Sequence, residues 1–501
     1  MKEINKLVDL VTHGLKSNYD VISLTGDVEN PGKEQQLYNG VLQGHYPTDE
    51  SAADGMYQTD IYDQRFRMLK SRLRHKLYDL LYHIDFDDPG FTHTIKVNLE
   101  SKEYIHKAHI LFKLGEYAMA DKQLNKCITL AEANQLTDAL LAAYELKCDI
   151  LSYECKPTDF ELTLDRVKEL RKLSLNEKES QDLFLRMRML MSKSIHSRNT
   201  CQEYLQKAMG ICEKLWKSSK SINIFLNYYQ LNTWFLLIQE DYNGLYKFTQ
   251  EAVKTIAKAK VETNRLDHSY NSYLASRALL SAEKYKEGYT EAKAGFKFMD
   301  KSTERWFDHS ETYFLLAMHN QDYKLAKKVL EEVIKNPNYS RASEATIGRW
   351  KVFRIYLNFA FPGKDMLKRV RFSDVYEAAE YYYVEAKRYY FTLPLLEFIH
   401  HVNKDRLDSA MTKLDEVENY FFQHLNEPGK NPREKQFYKM IKALKTSGFD
   451  VEKTRTKTEK YLVKMAEKRS YAPFSDFEIL PYEHLWEVVL NAAGKLKSIT
   501  S

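Results

Sequence analysis

His106 and His109 stand one helical turn apart with Glu103 a turn before them, a spacing at which helix side chains could share a metal ion. No Cys/His cluster follows to complete a set, and the helical register turns the two imidazoles to different angles, so structural roles are expected. His400 and His401 are adjacent and point apart on a helix. The carboxylate pairs Glu331-Glu332 and Asp415-Glu416 are also adjacent, which spreads them over solvated helix surfaces. General acid–base chemistry needs carboxylates that converge in a water-poor cleft. The chain has no Gly-x-Gly-x-x-Gly, Gly-x-x-x-x-Gly-Lys-Ser/Thr, Gly-x-Ser-x-Gly or His-Glu-x-x-His, the runs that cradle phosphates, strain a nucleophile or pair metal ligands. Catalytic residues, cofactor sites and metal sites are therefore not expected.

Two basic stretches suit a different chemistry. Arg65, Arg72 and Lys76 share one flank of a helix and could meet a few phosphates. Lys364, Lys368, Arg369 and Arg371 precede Tyr376, Tyr381, Tyr382, Tyr383, Tyr389 and Tyr390, with Lys387 and Arg388 between, which resembles a single-strand platform. Each has a plainer reading: the tyrosines recur at helical spacing and would pack between helices, and the Arg65 helix could pair with the acidic stretch before it.

The balance of 75 Lys+Arg against 70 Asp+Glu leaves only +5 over 501 residues, so charge as a whole does not call for nucleic acid. With 44% hydrophobic and 29% charged residues the chain is that of a soluble globular protein. Its start does not look like a signal peptide, so none is expected, and its most apolar window, Ile222 to Ile238, is broken by Asn223, Asn227, Gln230, Asn232 and Thr233. A cytoplasmic, non-membrane protein is expected. Cys127, Cys148, Cys155, Cys201 and Cys212 are odd in number and lack a Cys-x-x-Cys, which argues against a disulfide framework or a zinc cage and for small buried hydrophobes.

The elements that would position these residues follow a repeat. Tyr117, Tyr242, Tyr285 and Tyr323 each precede an amphipathic helix. Three residues after them stand Ala120, Leu245, Gly288 and Ala326, and seven further on Cys127, Ala252, Gly295 and Val333, mostly small residues where helices would cross closely. The intervals of 43 residues (Tyr242 to Tyr285) and 38 (Tyr285 to Tyr323) are those of helix-pair repeats, and the 168 from Tyr117 to Tyr285 fit four units of about 42. Divergent helices are expected near 136–153, 159–173, 179–195 and 200–217, and an intervening unit near 345–391; Asp405-Arg406-Leu407 resumes the pattern. Pro394 is expected in the first turn of a helix running to about His401.

Three regions result. Residues 1–94 hold N-terminal helices with an acidic, loop-rich connector at about 30–60, interrupted by Gly40, Gly44, Pro47 and Gly55. A helix over about 59–84 follows, with Tyr62, Phe66, Leu69, Leu73, Leu77, Leu80 and Ile84 on one stripe, expected to dock on the first repeat. Residues 95–427 form the array. Residues 428–501, opened by Pro428, Gly429 and Pro432 and containing the basic-polar run Lys453 to Thr458, supply a cap whose last helix carries Leu485, Trp486, Val488, Val489 and Leu490.

Tyr104, Ala108, Leu111, Leu114, Gly115, Tyr117, Ala120, Leu124 and Cys127, and the segment from Asp322 to Ile334, resemble the tetratricopeptide repeat superfamily. The resemblance implies an all-α, right-handed superhelical solenoid of antiparallel helix pairs. It also implies a concave groove lined by each unit's first helix. That groove would present Lys102, His109 and Lys113, then Asn227, Gln230 and Trp234, then Tyr270, Tyr273 and Arg277, then Asp308, Glu311 and His319. These residues do not reproduce the lysine–asparagine–arginine clamp that some members close on a C-terminal carboxylate. The resemblance implies a non-catalytic adaptor or regulator that binds a protein or peptide partner; the alternative is an RNA- or DNA-associated regulator using the basic stretches.

Overall fold

The computed structural model describes residues 1–14, 32–84, 93–191, 201–259, 265–361, 372, 387–426, 432–467 and 478–500. Among these it is all-α, without a strand ladder. It divides into two compact units, Met1–Val167 and Lys168–Ser501.

The first unit opens with α1 (Lys2–Gly14), α2 (Lys33–Leu42), α3 (Asp49–Tyr57) and α4 (Gln64–Leu80). The acidic connector is thus two helices rather than a loop. Its Gly40 and Gly55 lie within them because the Tyr46 ring fills the space where either Cβ would stand. Thr48 and Ser51 close a capping box at the start of α3. Phe66, Leu69, Leu73, Leu77 and Leu80 of α4 are buried with Ile4, Val8, Leu37 and Ala53, so the expected stripe holds but packs among the N-terminal helices themselves. Tyr62 precedes α4 and is 77% exposed, outside that stripe. The unit continues through α5 (His93–Lys113), α6 (Tyr117–Ala133) and α7 (Thr137–Tyr153), each packed on the next. The helices expected at 159–173 and 179–195 are one, α8 (Pro157–Met191), which crosses the boundary between units. No glycine or proline interrupts its interior.

The second unit pairs α9 (Gln202–Ser219) with α10 (Ile222–Ile238), then α11 (Tyr242–Lys258), α12 (His268–Ser281), α13 (Tyr285–Gly295), α14 (Glu304–His319), α15 (Tyr323–Ile334) and α16 (Glu344–Ala360), neighbour against neighbour. α17 (Lys387–Val402) and α18 (Leu407–Tyr420) form a further pair, as do α19 (Pro432–Thr446) and α20 (Val451–Ala466). The final helix, α21 (Tyr482–Thr500), packs on α16, α17 and α20 and buries Leu485, Trp486, Val489 and Leu490. Pro394 lies inside α17, not in its first turn. The run Lys453 to Thr458 is helical, with Thr454 and Thr458 buried and each hydroxyl returned to a carbonyl four residues back.

Each of the four junction tyrosines is the first residue of its helix. Three rest on a ring at or just past the end of the next first helix: Tyr117 stacks on Tyr153 at 5.7 Å, Tyr285 meets His319 at 5.3 Å, and Tyr323 lies against Phe361 at 6.5 Å. The tyrosine therefore fills the wedge between successive units. Two residues before it the chain turns left-handed, at Gly115, Glu240, Glu283 and Gln321, with φ of 83°, 55°, 61° and 58°. The next amide then donates to a carbonyl five residues back, as in Asp241 to Leu236 (3.0 Å) and Asp322 to Ala317 (2.9 Å), the closure of a Schellman motif. The same turn closes at Gln135, Cys155 and Asp405, where no tyrosine follows.

The small residues lie where helices cross. Ala120, Cys127, Ala252, Ala326 and Val333 are fully buried. A Cβ on Gly295 would come within 2.9 Å of the His309 ring and 3.0 Å of Ser272 Cβ, and that ring is fixed by a bond to the Ala292 carbonyl. Gly295→Ala should therefore lower stability by about 1–3 kcal/mol through overpacking, more than its gain in helix propensity. The urea midpoint of the variant measures this, and a midpoint at or above that of the parent would contradict the packing.

Candidate interaction surface

Residues at one-turn intervals on α12, α14 and α16 present a common face. Tyr270, Tyr273 and Arg277 come from α12, Arg305, Asp308 and Glu311 from α14, and Thr346 and Arg349 from α16. The Arg305 guanidinium lies 4.8 Å from the Tyr270 ring centre and 5.3 Å from that of Tyr273. Behind it runs a chain of charges. Arg277 Nη1 stands 3.7 Å from Glu311 Oε1, Arg349 Nε 2.9 Å from Glu311 Oε2, and Arg349 Nη2 3.3 Å from Asp308 Oδ1. Arg349 also donates to Thr346 Oγ1 at 3.1 Å, and that hydroxyl donates to Glu304 Oε2 at 2.9 Å.

Burial differs along this row. The Arg277 and Glu311 side chains are only 5% and 11% exposed, while Asp308 and Arg349 keep 34% and 25%. Burial raises the Asp308 carboxyl pKa, with the Glu311 charge adding to it and Arg349 opposing. Burial likewise raises the phenols of Tyr270 and Tyr273. Three arginines face three carboxylates, so the row neutralises itself: the inner ion pairs stiffen the packing, and Tyr270, Tyr273 and Arg305 stay half-buried at its edge.

The other expected groove residues lie elsewhere. Asn227 donates to Ser180 Oγ at 2.9 Å and Trp234 stacks on Phe184 at 5.6 Å, both facing α8, and Gln230 is half-buried beside them. His319 is buried, its Nε2 2.6 Å from the Glu478 carbonyl oxygen, so it is consumed within the fold. Lys102, His109 and Lys113 are exposed and belong to the first unit, where Lys113 lies over Phe112 at 5.6 Å. Among the described residues no group of His, Cys, Asp and Glu could hold a metal ion. Sequence reasoning did not reach Arg305, Thr346 or Arg349. No tyrosine marks the unit containing α16, so no register was carried to it; the one signal for Arg305 is its place one turn before Asp308.

The basic flank of α4 is already paired. Arg65 binds Asp63 at 2.8 Å, and Arg72 and Lys76 both reach Glu34, at 3.1 and 2.6 Å. This is the pairing with the acidic stretch that the sequence suggested, made by cations that stay largely exposed. The basic residues and tyrosines singled out between Lys364 and Tyr390 lie outside the residues whose side chains are described. Cys127, Cys148, Cys201 and Cys212 are buried, and Cys155, at a left-handed junction, is exposed. Burial pushes the Cys127 thiol up to about 11 and the Cys212 thiol to about 12, which keeps both protonated.

Residues 104–134 match the family model of the tetratricopeptide repeat. No curated protein matches the chain. Among solved structures the chain is similar to one described as "Crystal Structure of P58(IPK) TPR Domain at 2.5 A", with 13% identity, 79% of this chain and 98% of that chain covered, and a TM-score of 0.20.

Proposed function

We propose that this tetratricopeptide-like helical repeat protein acts without catalysis, as a cytoplasmic adaptor that holds an extended segment of a partner protein along α12, α14 and α16. The observation that supports this most is the Arg305 guanidinium lying over the Tyr270 and Tyr273 rings, beside a layer of ion pairs on Glu311. Tyrosine and arginine dominate binding energy at protein interfaces, and a rigid support lowers the entropy lost when they engage. Among the described residues no helix is long and apolar enough to cross a membrane. The window from Ile222 to Ile238 is α10, whose Asn223 and Asn227 bond to Glu177 and Ser180.

The test is recovery of a stoichiometric protein partner with the tagged full chain from its native cell, followed by titration of the purified pair. Arg305→Glu combined with Tyr273→Ala should weaken that complex by at least about thirtyfold, the weight of a hot spot of about 2 kcal/mol. An unchanged dissociation constant for a variant that melts like the parent would refute the groove. Arg277→Glu is a poor probe, since it sets a second carboxylate beside buried Glu311 and would disturb folding first.

A further inference from the structure

A second concavity lies between α13 and α15 over the α14 side chains Trp306 and Tyr313, and none of the row's residues lines it. It is an open cleft of about 540 Å³, within the range of ligand-sized clefts. Its floor is apolar, made by Phe296, Trp306, Tyr313, Leu325 and Val329. Lys293, Lys301, Lys328 and Lys335 line it as well, against one carboxylate, Glu332. Lys328 reaches Glu332 at 4.0 Å; among the described residues Lys293, Lys301 and Lys335 have no ion-pair partner. All four lysines are exposed, so the cleft carries a surplus of positive charge over an uncharged floor. Its far wall is fixed: Asn336 Nδ2 donates to the Lys301 carbonyl at 2.9 Å, and Asn336 Oδ1 accepts from the Asn338 amide at 2.9 Å.

We propose that this cleft is a binding site for an acidic peptide segment carrying an apolar side chain, the carboxylates meeting the lysines and the apolar group entering between them. The rings argue against nucleic acid. Trp306 and Tyr313 are 5% and 8% exposed. Tyr313 is stacked on Tyr289 at 5.3 Å and Trp306 is tilted against Phe296 at 6.3 Å, so neither of these two rings offers the open face that base stacking requires. The apolar floor would contribute nothing to a bare anion.

The experiment is fluorescence anisotropy on the full chain, with a labelled hexapeptide of the pattern acid-acid-Phe-acid-acid-Leu. Saturable binding that weakens with added salt is expected, reduced at least about tenfold by Lys293→Glu with Lys335→Glu and by replacing the peptide Phe with Ala. Arg305→Glu should leave it unchanged, which separates this site from the α12–α14–α16 row. The lysines are exposed and a matched melting curve verifies the fold. The proposal is overturned if the peptide does not saturate, if the charge reversal has no effect, or if inorganic phosphate or a single-stranded oligonucleotide competes as well as the unlabelled peptide.

Discussion

Replacing Arg433 by methionine is expected to remove about 3–5 kcal/mol of stability, the cost of leaving buried carboxylates without their cation. The Arg433 side chain is 3% exposed and forks onto Glu478, with Nε 2.6 Å from Oε1 and Nη2 2.9 Å from Oε2. It also reaches Glu483 at 2.9 Å and donates to the Met465 carbonyl at 2.7 Å. Burial by itself would lower the guanidinium pKa; the charges of Glu478 and Glu483 more than reverse that and hold it above the usual value. Glu478 in turn accepts from the Tyr482 amide at 3.0 Å, while its carbonyl oxygen meets His319. One cation thus joins α19 and α20 to the start of α21, and through Glu478 to α14. Circular dichroism against urea should show the loss as an earlier midpoint. Glu478→Gln alone should also destabilise, by leaving Arg433 with less countercharge, whereas Arg433→Met with Glu478→Met should recover part of the deficit. An Arg433→Met protein as stable as the parent would mean that the pair contributes nothing.

That charge cluster also marks where sequence reading stops. The repeat was legible because it is local: a tyrosine, then small residues three and ten positions later, all on one helix. Gly288 and Gly295 are buried at those positions, as are Leu245 and Ala252. The left-handed turn before each tyrosine was not legible, because only Gly115 uses the residue that advertises it. Glu240, Glu283 and Gln321 adopt the same conformation at a cost of about 1–2 kcal/mol each, offset by the helix pairs that they join. Glycines misled in the opposite sense at Gly40 and Gly55, where they make room for Tyr46 rather than break a helix. Arg433 and Glu478 are 45 residues apart, and Glu311 meets an arginine on each of two other helices. Periodicity carries no information on such pairings, so the face that holds Arg305 was legible only in part.

Acid should destabilise the fold through His309. Its side chain is buried, with Nε2 2.7 Å from the Ala292 carbonyl oxygen, so the ring proton belongs on Nε2. Nδ1 has no hydrogen-bond partner among the described residues, and the ring edge meets Phe296 at 4.8 Å. A second proton would have to be buried there without a counter-charge, and burial accordingly lowers the pKa from 6.5 to about 4, against the weaker support of the Ala292 bond. Between those values the unfolded chain takes up a proton that the folded chain refuses, so stability falls as pH falls through this window and the full loss is reached below about 4. Converting that displacement gives roughly 3 kcal/mol in total, of which about 2 kcal/mol should be lost between about pH 7.5 and about pH 5. His309→Gln keeps an amide that can donate to Ala292 and removes the titration. Carboxylates elsewhere titrate in both proteins, so the diagnostic quantity is the difference between their pH slopes: the parent should lose stability more steeply than the glutamine variant over this interval. Parallel slopes would place the acid sensitivity elsewhere and imply that this ring can hold a proton in the folded chain.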